Sequence, residues 1–353
     1  MRKFPVFTLL VFACCLIGSL RANDGPVVLG RGQELFEIGP LLAQDDFEDL
    51  GDWVVQVQPG KKAPPARVQV RDNTLDCLVP GRGCTVWFKK KLKTRVTISY
   101  DVICPTPEKV TKELMPRDIN NFWMATDRDD PEGGLFDAER YTGDFGAYNK
   151  MNGYYASTGG GKNTTTRMRR YPREVSGTPT AHLALTDKDR KKEFLITPDK
   201  KMSVQLVAYD DLIQYIVDGQ LVYEAAAGDE IQIETRDGKG KRQFEKAVYD
   251  LKKFPTYLEG YFGFRMVGTH HIYSNFRVHA LKPPNERVEV KVSTVEELCK
   301  EMKKSGQHVV MAPGTYVIEE TGGTPSVFLM SGSDNTFDLT DVKSWCRSSL
   351  GIH

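Results

Sequence analysis

The chain has 353 residues with 48 basic and 47 acidic side chains, so it lacks the positive field on which non-specific nucleic-acid binding depends. Its length allows one large or two ordinary domains. No CxxC pair, HExxH helix or GxxxxGK[ST] loop occurs in it, which speaks against a structural zinc and a nucleotide site.

Arg2 and Lys3 precede an apolar run from Phe4 to Leu20, and small Ala22 stands at a plausible cleavage point. Residues 1–22 therefore read as a signal peptide, with a secreted or periplasmic product and no membrane span left after its removal. A lipoprotein cysteine at Cys14 or Cys15 is disfavoured, because Phe12 precedes Ala13-Cys14 and the apolar run continues past both. Residues 23–44 read as a lead-in containing Gly and Pro.

From 45 to 281 the pattern is strand after strand, with β-branched and aromatic enrichment and partial alternation in CTVWFKKKL and TRVTISYDVI. MSVQLVAYDDLIQYIVDGQLVYEAA reads as three strands, split at Asp210-Asp211 and at Asp218-Gly219. An Asp-Gly pair between apolar runs supplies the two positive φ angles of a tight hairpin. YLEGYFGFRMVGTHHIYSNFRVHAL reads as two strands joined through Val267–His271. Segments 132–135, 158–162 and 228–253 read as loops or insertions. No ordinary helix interrupts the region, so the expected class is all-β: an antiparallel β-sandwich or jelly roll. Cys77 and Cys84 flank LVPGRG and either close a small disulfide loop or serve as buried thiols; the sequence leaves both open.

Lys282-Pro283-Pro284-Asn285 marks a linker over 282–287, since two prolines deny the sheet further ladder bonds. Beyond it, Ser293 and Glu296 have capping-box spacing and start a helix near Thr294, which Gly306 ends. Strands at 308–312 and 315–318 flank the Pro313-Gly314 turn. Residues 288–342 thus read as an incipient parallel β-helix, cut short, and 343–353 as a tail without strand pattern.

The motifs DDFEDLGDW, FWMATD, YYASTGGGKNTTTRMRRY, IQYIVDGQLVYE and GYFGFRMVGTHHIYSNFRVHAL resemble a family of secreted bacterial domains of unassigned function. That resemblance covers about residues 45–281. It implies a concanavalin-A-like jelly roll found in polysaccharide-degradation systems. Residues 288–342 resemble the first coil of a pectate-lyase-type parallel β-helix. The charged segment 229–254 is longer than this family leads one to expect, and the β-helix is nearly absent.

Acidic polysaccharides are commonly cleaved by β-elimination, which needs the uronate carboxylate neutralised and a base and an acid supplied. The segment from Tyr154 to His182 holds these residue types together. If 164–171 is a strand, its period of two puts Arg167, Arg169 and Tyr171 on one face, against Thr164, Thr166, Met168 and Arg170 on the other. Guanidiniums and a phenol on one face suit carboxylate recognition. The expected catalytic set is therefore Tyr155, Asn163, Arg167 and His182. Arg169, Tyr171, Tyr154, Trp123 and His270 form the expected binding set, with Trp123 stacking on a sugar ring. A solvated basic face is the plain alternative. His271 is a turn or edge residue or a second groove imidazole, and Trp53 and Trp87 read as core. The acidic loop 127–133 could hold calcium but lacks EF-hand spacing; otherwise no cofactor is called for. Three function classes follow. The leading one is a polysaccharide lyase acting on uronates. The second is a non-catalytic carbohydrate-binding domain using the same face. A two-carboxylate glycosidase ranks behind both, because no Glu-x-Asp-x-x-Glu strand is present.

Overall fold

A computed structural model describes residues 36–60, 64–109, 114–186, 192–282, 288–305, 307–319, 330–332 and 335–347. Residues 1–22, which read as a signal peptide, the first part of the lead-in, the linker after Lys282, Gly306 and the last residues of the tail lie outside them. In chain order the strands are β1 (Glu37–Asp45), β2 (Trp53–Val57), β3 (Arg67–Arg71), β4 (Thr74–Phe88), β5 (Leu92–Lys93) and β6 (Val96–Ile103). There follow β7 (Ile119–Thr126), β8 (Asn152–Gly159), β9 (Thr165–Tyr171), β10 (Glu174–Val175), β11 (Thr178–Pro179) and β12 (His182–Thr186). Next come β13 (Lys201–Tyr209), β14 (Leu212–Val217), β15 (Gln220–Ala225), β16 (Glu230–Arg236), β17 (Arg242–Val248) and β18 (Glu259–Lys282). All but β10 and β11 join one antiparallel sheet of 16 strands, ordered β15-β14-β13-β6-β18-β7-β8-β9-β12-β16-β17, with β1 to β5 attached through β4 and β18.

Two long strands curl this sheet over itself. The first half of β18 pairs with β7 at Tyr261–Arg265, its second half pairs with β6 at Ile272–Ala280, and β4 runs beside both halves. A register shift between Val267 and Thr269, with Gly268 at φ +59°, makes the bend. A bulge of this kind turns a strand from one layer into the next. Val267–His271 is therefore a bend within one strand and not a connection between two, contrary to the sequence expectation.

The layers meet through contacts that cross between them. Trp123 Nε1 of β7 donates to the Val207 carbonyl of β13 at 3.3 Å, and Thr158 Oγ1 lies 2.8 Å from the Tyr215 hydroxyl. Tyr100 of β6 donates to Asn121 Oδ1 of β7. Ile98, Val102, Met168, Leu206 and Phe264 fill the space between, all buried. The fold is thus all-β, as expected. The hairpins at Asp210-Asp211 and Asp218-Gly219 form where expected, the latter with φ of +49° and +74° at its central residues.

Two expectations change, for segment 228–253 and for Trp123 with Tyr154, and the open choice at Cys77 and Cys84 is settled. Segment 228–253 is largely the β16–β17 hairpin, extending the sheet past β12. Cys77 and Cys84 are free buried thiols on β4, facing His271 and Met266 respectively across to β18; burial pushes the Cys84 thiol up to about 12. Trp123 and Tyr154 are core residues on the inner face.

At the C-terminal end, β19 (Val288–Val292), β20 (Gln307–Met311) and β22 (Thr336–Asp338) form one parallel ladder, and β21 (Gly314–Glu319) and β23 (Val342–Arg347) another. Residues 343–347, expected to be structureless, thus lie in a strand. The helix Val295–Glu301 is capped by Thr294 and Glu297, one residue later than the expected Ser293–Glu296 pairing.

Removing the indole of Trp123 leaves a large cavity between the layers, so Trp123→Ala should cost about 3–5 kcal/mol of unfolding free energy. Urea denaturation checks this; a stability close to that of the parent protein would mean that the indole is not core.

Candidate functional site

Alternation along β9 decides what faces outward. Met168 enters the core between the layers; Arg167, Arg169 and Tyr171 therefore point the other way, as the sequence implies. Register brings their neighbours onto the same outer face: Ser157 opposite Arg167, Tyr155 opposite Arg169, and Thr186 opposite Arg167. His182 of β12 stands opposite Glu234 of β16, and Glu234 stands opposite Phe244 of β17. One part of this face is roofed by residues 134–151, whose Leu135, Tyr141, Tyr148 and Met151 pack on Trp87, Phe122, Tyr155 and Tyr171. The rest carries the charged cluster.

Glu234 is its centre. The side chain is 2% exposed and receives Arg242 Nε at 2.9 Å. Arg173 Nη2 lies 3.6 Å from Oε1, while Arg169 Nη2 and His182 Nε2 lie 3.8 and 3.9 Å from Oε2. Three guanidiniums thus surround one carboxylate. The pairing is loose: Glu234 Oε2, His182 Nε2, Arg169 Nε and Arg173 Nε are buried without a hydrogen-bond partner. A small cleft of about 80 Å³ opens here, lined by Asn149, Arg173, Thr180, His182 and Glu234.

His182 Nδ1 sits 2.9 Å from the Thr180 carbonyl, an acceptor, so the proton of the neutral ring belongs on Nδ1. Burial holds the imidazole down to about 4, assisted by the Arg173 charge. Nε2 therefore presents a bare lone pair to Glu234 Oε2. Each of these two bare acceptors, 3.9 Å apart, is free to take a donor such as a hydroxyl. Burial lowers Arg169, and Arg173 is raised against burial by Tyr171 and Glu234. Tyr155 is pushed up to about 12 by burial, and its hydroxyl donates to Asn120 Oδ1 at 2.9 Å.

Of the expected residues, Tyr155, Arg167, Arg169, Tyr171 and His182 share the face. The others do not join them. Tyr154 is on the inner side and accepts the Tyr257 N–H at 3.1 Å. Trp123 is buried, which takes its ring away from any sugar. Asn163 spends its amide on the Ile196 backbone, donating at 2.8 Å and accepting at 3.0 Å. His270 Nε2 lies 2.7 Å from Asp76 Oδ1 of β4, and His271 is buried against Tyr273 and the Arg117 carbonyl. In the loop proposed for calcium, Asp127 accepts the Asp129 and Asp130 amides, Tyr141 and Arg140, which occupies its oxygens. Among the described residues no group of three or more His, Cys, Asp or Glu could hold a metal.

Arg173, Glu234, Arg242 and Phe244 were missed. Arg173 lies just past β9, while the other three sit in the hairpin that reads as a charged loop. IQIE alternates apolar and polar residues and was a usable signal. RQFEKAV, exposed almost throughout, gave none.

Residues 78–233 match a family model described as a domain of unknown function (DUF6250). No curated protein matches. Among solved structures, a Bacillus subtilis protein of unknown function with a galectin-like fold is 16% identical, with a TM-score of 0.48 over 70% of this chain and 99% of its own. A carbohydrate-binding module from Bacillus subtilis is 12% identical (TM-score 0.36, 65% and 95% covered). An endo-β-1,3-glucanase from Pyrococcus furiosus is 9% identical (TM-score 0.42, 73% and 99% covered).

Burial holds His182 at about 4 and His271 at about 3, against an ordinary value of 6.5. Between those values the unfolded chain takes up protons that the folded chain refuses. Stability contributed by each ring is full above 6.5 and is lost as pH falls, by up to about 1.4 kcal/mol per pH unit per ring. Unfolding free energy should therefore drop from pH 6.5 to 4, and His182→Gln should flatten part of that slope. Parallel profiles for variant and parent would contradict the assignment.

Proposed function

We propose that this protein acts on an acidic, uronate-containing polysaccharide through the Arg169–Arg173–His182–Glu234 cluster, as a β-eliminating lyase. The observation that carries the reading is the imbalance at the cluster: three guanidiniums around one carboxylate, with buried N–H groups of Arg169 and Arg173 unpartnered beside a cleft. A second carboxylate is the ligand that answers both the charge and the vacant donors. Glu234 Oε2, an acceptor without a partner, adds a place for a sugar hydroxyl, which an inorganic anion would not fill. Phe244, 42% exposed and in register beside Glu234, offers the ring face that Trp123 cannot.

In the elimination, Arg169 and Arg173 neutralise the uronate carboxylate and so acidify the carbon next to it. His182 Nε2, neutral at pH 7 and fixed in its tautomer, removes that proton. The carbon–hydrogen electrons form the new double bond, the bond to the glycosidic oxygen breaks, and that oxygen takes a proton from solvent water entering the cleft. No cofactor enters this scheme, since guanidiniums do the neutralising. The N-terminal leader would deliver the protein to a secreted or periplasmic location, where such polymers are met. The parallel ladders of β19–β23 fit the first coil of a β-helix.

A binding-only role is favoured by one observation. Tyr155, the phenol expected to handle the proton, is 4% exposed and already donates to Asn120.

Incubating the mature protein with galacturonate, mannuronate and glucuronate polymers separates the two. A rise in ultraviolet absorbance from unsaturated ends, abolished by His182→Gln, is expected for the lyase. Retention of the polymer in an affinity gel without absorbance identifies a binding module. Arg173→Gln should weaken either by about 10- to 100-fold, the loss of one charge-assisted contact of roughly 1.5–3 kcal/mol. No absorbance and no retention with any polymer would refute the reading.

A further inference from the structure

A second basic group lies on the same outer face, one cross-strand row away from Arg169. Register links Arg265 of β18 to Asn120 of β7, Asn120 to Ser157 of β8, Ser157 to Arg167 of β9, and Arg167 to Thr186 of β12. Five polar side chains in register across five adjacent strands are unusual where a sheet face is covered, because each must find partners. Here several have none. Arg265 is 5% exposed, and its Nε and Arg167 Nε lack acceptors, as does the hydrogen of Thr186 Oγ1. Arg265 spreads over the Phe145 ring, 4.5 Å from its centre, which fixes the plane of the guanidinium.

Asp118, two residues before Asn120 and just ahead of β7, completes a second cluster. Its carboxylate lies 3.4 Å from Arg117 Nε and feels the charges of Arg265 and Arg167. The balance repeats that at Glu234: three guanidiniums against one carboxylate. Burial raises the Asp118 carboxyl despite those charges. From β7 to β16 the face spans four strand spacings of about 4.8 Å each, roughly 19 Å. That is a length of several sugar units and far more than one.

We propose that Arg167, Arg265 and Asp118 form a second acid-recognising subsite, so that one uronate chain lies across the strands with a carboxylate at each cluster. The proposal rests on the acidic-saccharide reading of the Glu234 cluster and adds to it a requirement for chain length. A monomer or dimer reaches one cluster; a hexamer reaches both.

Calorimetric titration with dimers and hexamers of the galacturonate, mannuronate and glucuronate series tests it, using the mature protein. In the parent protein the hexamer of the recognised series should bind at least tenfold more tightly than its dimer. Arg167→Gln should cut that ratio to below threefold. Thr186→Glu, which sets a negative charge on the row without removing any guanidinium, should do the same, and guards against a folding defect in the first variant. Arg173→Gln should weaken dimer and hexamer alike. Equal affinity for dimer and hexamer, with Arg173→Gln still weakening both, overturns the second subsite and leaves the first reading standing. No binding at any length, or binding that Arg173→Gln does not change, overturns both.

Discussion

A buried charge is tolerated only when an opposite charge comes with it, and that constraint organises this protein's outer sheet face. Arg169 and Glu234 are each nearly inaccessible, 3% and 2% exposed. Neither could sit there alone. Glu234 reaches the cluster because the β16–β17 hairpin extends the sheet past β12 and because His182 and Glu234 are in direct register. The contact therefore ties the β16–β17 hairpin to β9 and β12 and sets the site at their junction. It does so incompletely, since distances of 3.6–3.9 Å to Arg173, Arg169 and His182 leave hydrogen-bonding capacity unused.

That unused capacity connects the fold to the chemistry. The layers below are bonded to each other: Trp123, Tyr100 and Thr158 bond across to the opposite layer. On the outer face the buried groups left without partners include four guanidinium N–H donors, the hydroxyls of Ser157, Tyr171 and Thr186, and the acceptors His182 Nε2 and Glu234 Oε2. Donors in excess and two converging acceptors describe a ligand bearing a carboxylate and hydroxyls. The roof formed by residues 134–151 covers the aromatic part of the same face, and the charged part, itself nearly buried, adjoins the cleft beside Arg173, His182 and Glu234.

What could be read from the sequence follows from how each feature is encoded. Asp218-Gly219 was legible because positive φ at both positions has a residue signature. The outward set Arg167, Arg169 and Tyr171 was legible because Met168 between them had to go inward. The Tyr154-Tyr155 pair was not, since adjacent identical residues cannot say which one faces the core; contacts with Tyr257 and Asn120 decide it. Trp123 fits either a groove or a core by composition alone. Strand β17 escaped because it is exposed on both faces and carries no apolar alternation, and with it went Arg242 and Phe244. The bend at Gly268 looked like a connection because a bulge and a turn share the same glycine.

The most direct measurement is a crystal structure of the protein with a uronate oligomer bound. The account predicts a sugar carboxylate within hydrogen-bond distance of the Arg169 and Arg173 guanidiniums, with a hydroxyl donating to Glu234 Oε2 and His182 Nε2 facing the carbon next to that carboxylate. An oligomer seated on another face, with Arg173 and His182 still turned only toward Glu234, would contradict it.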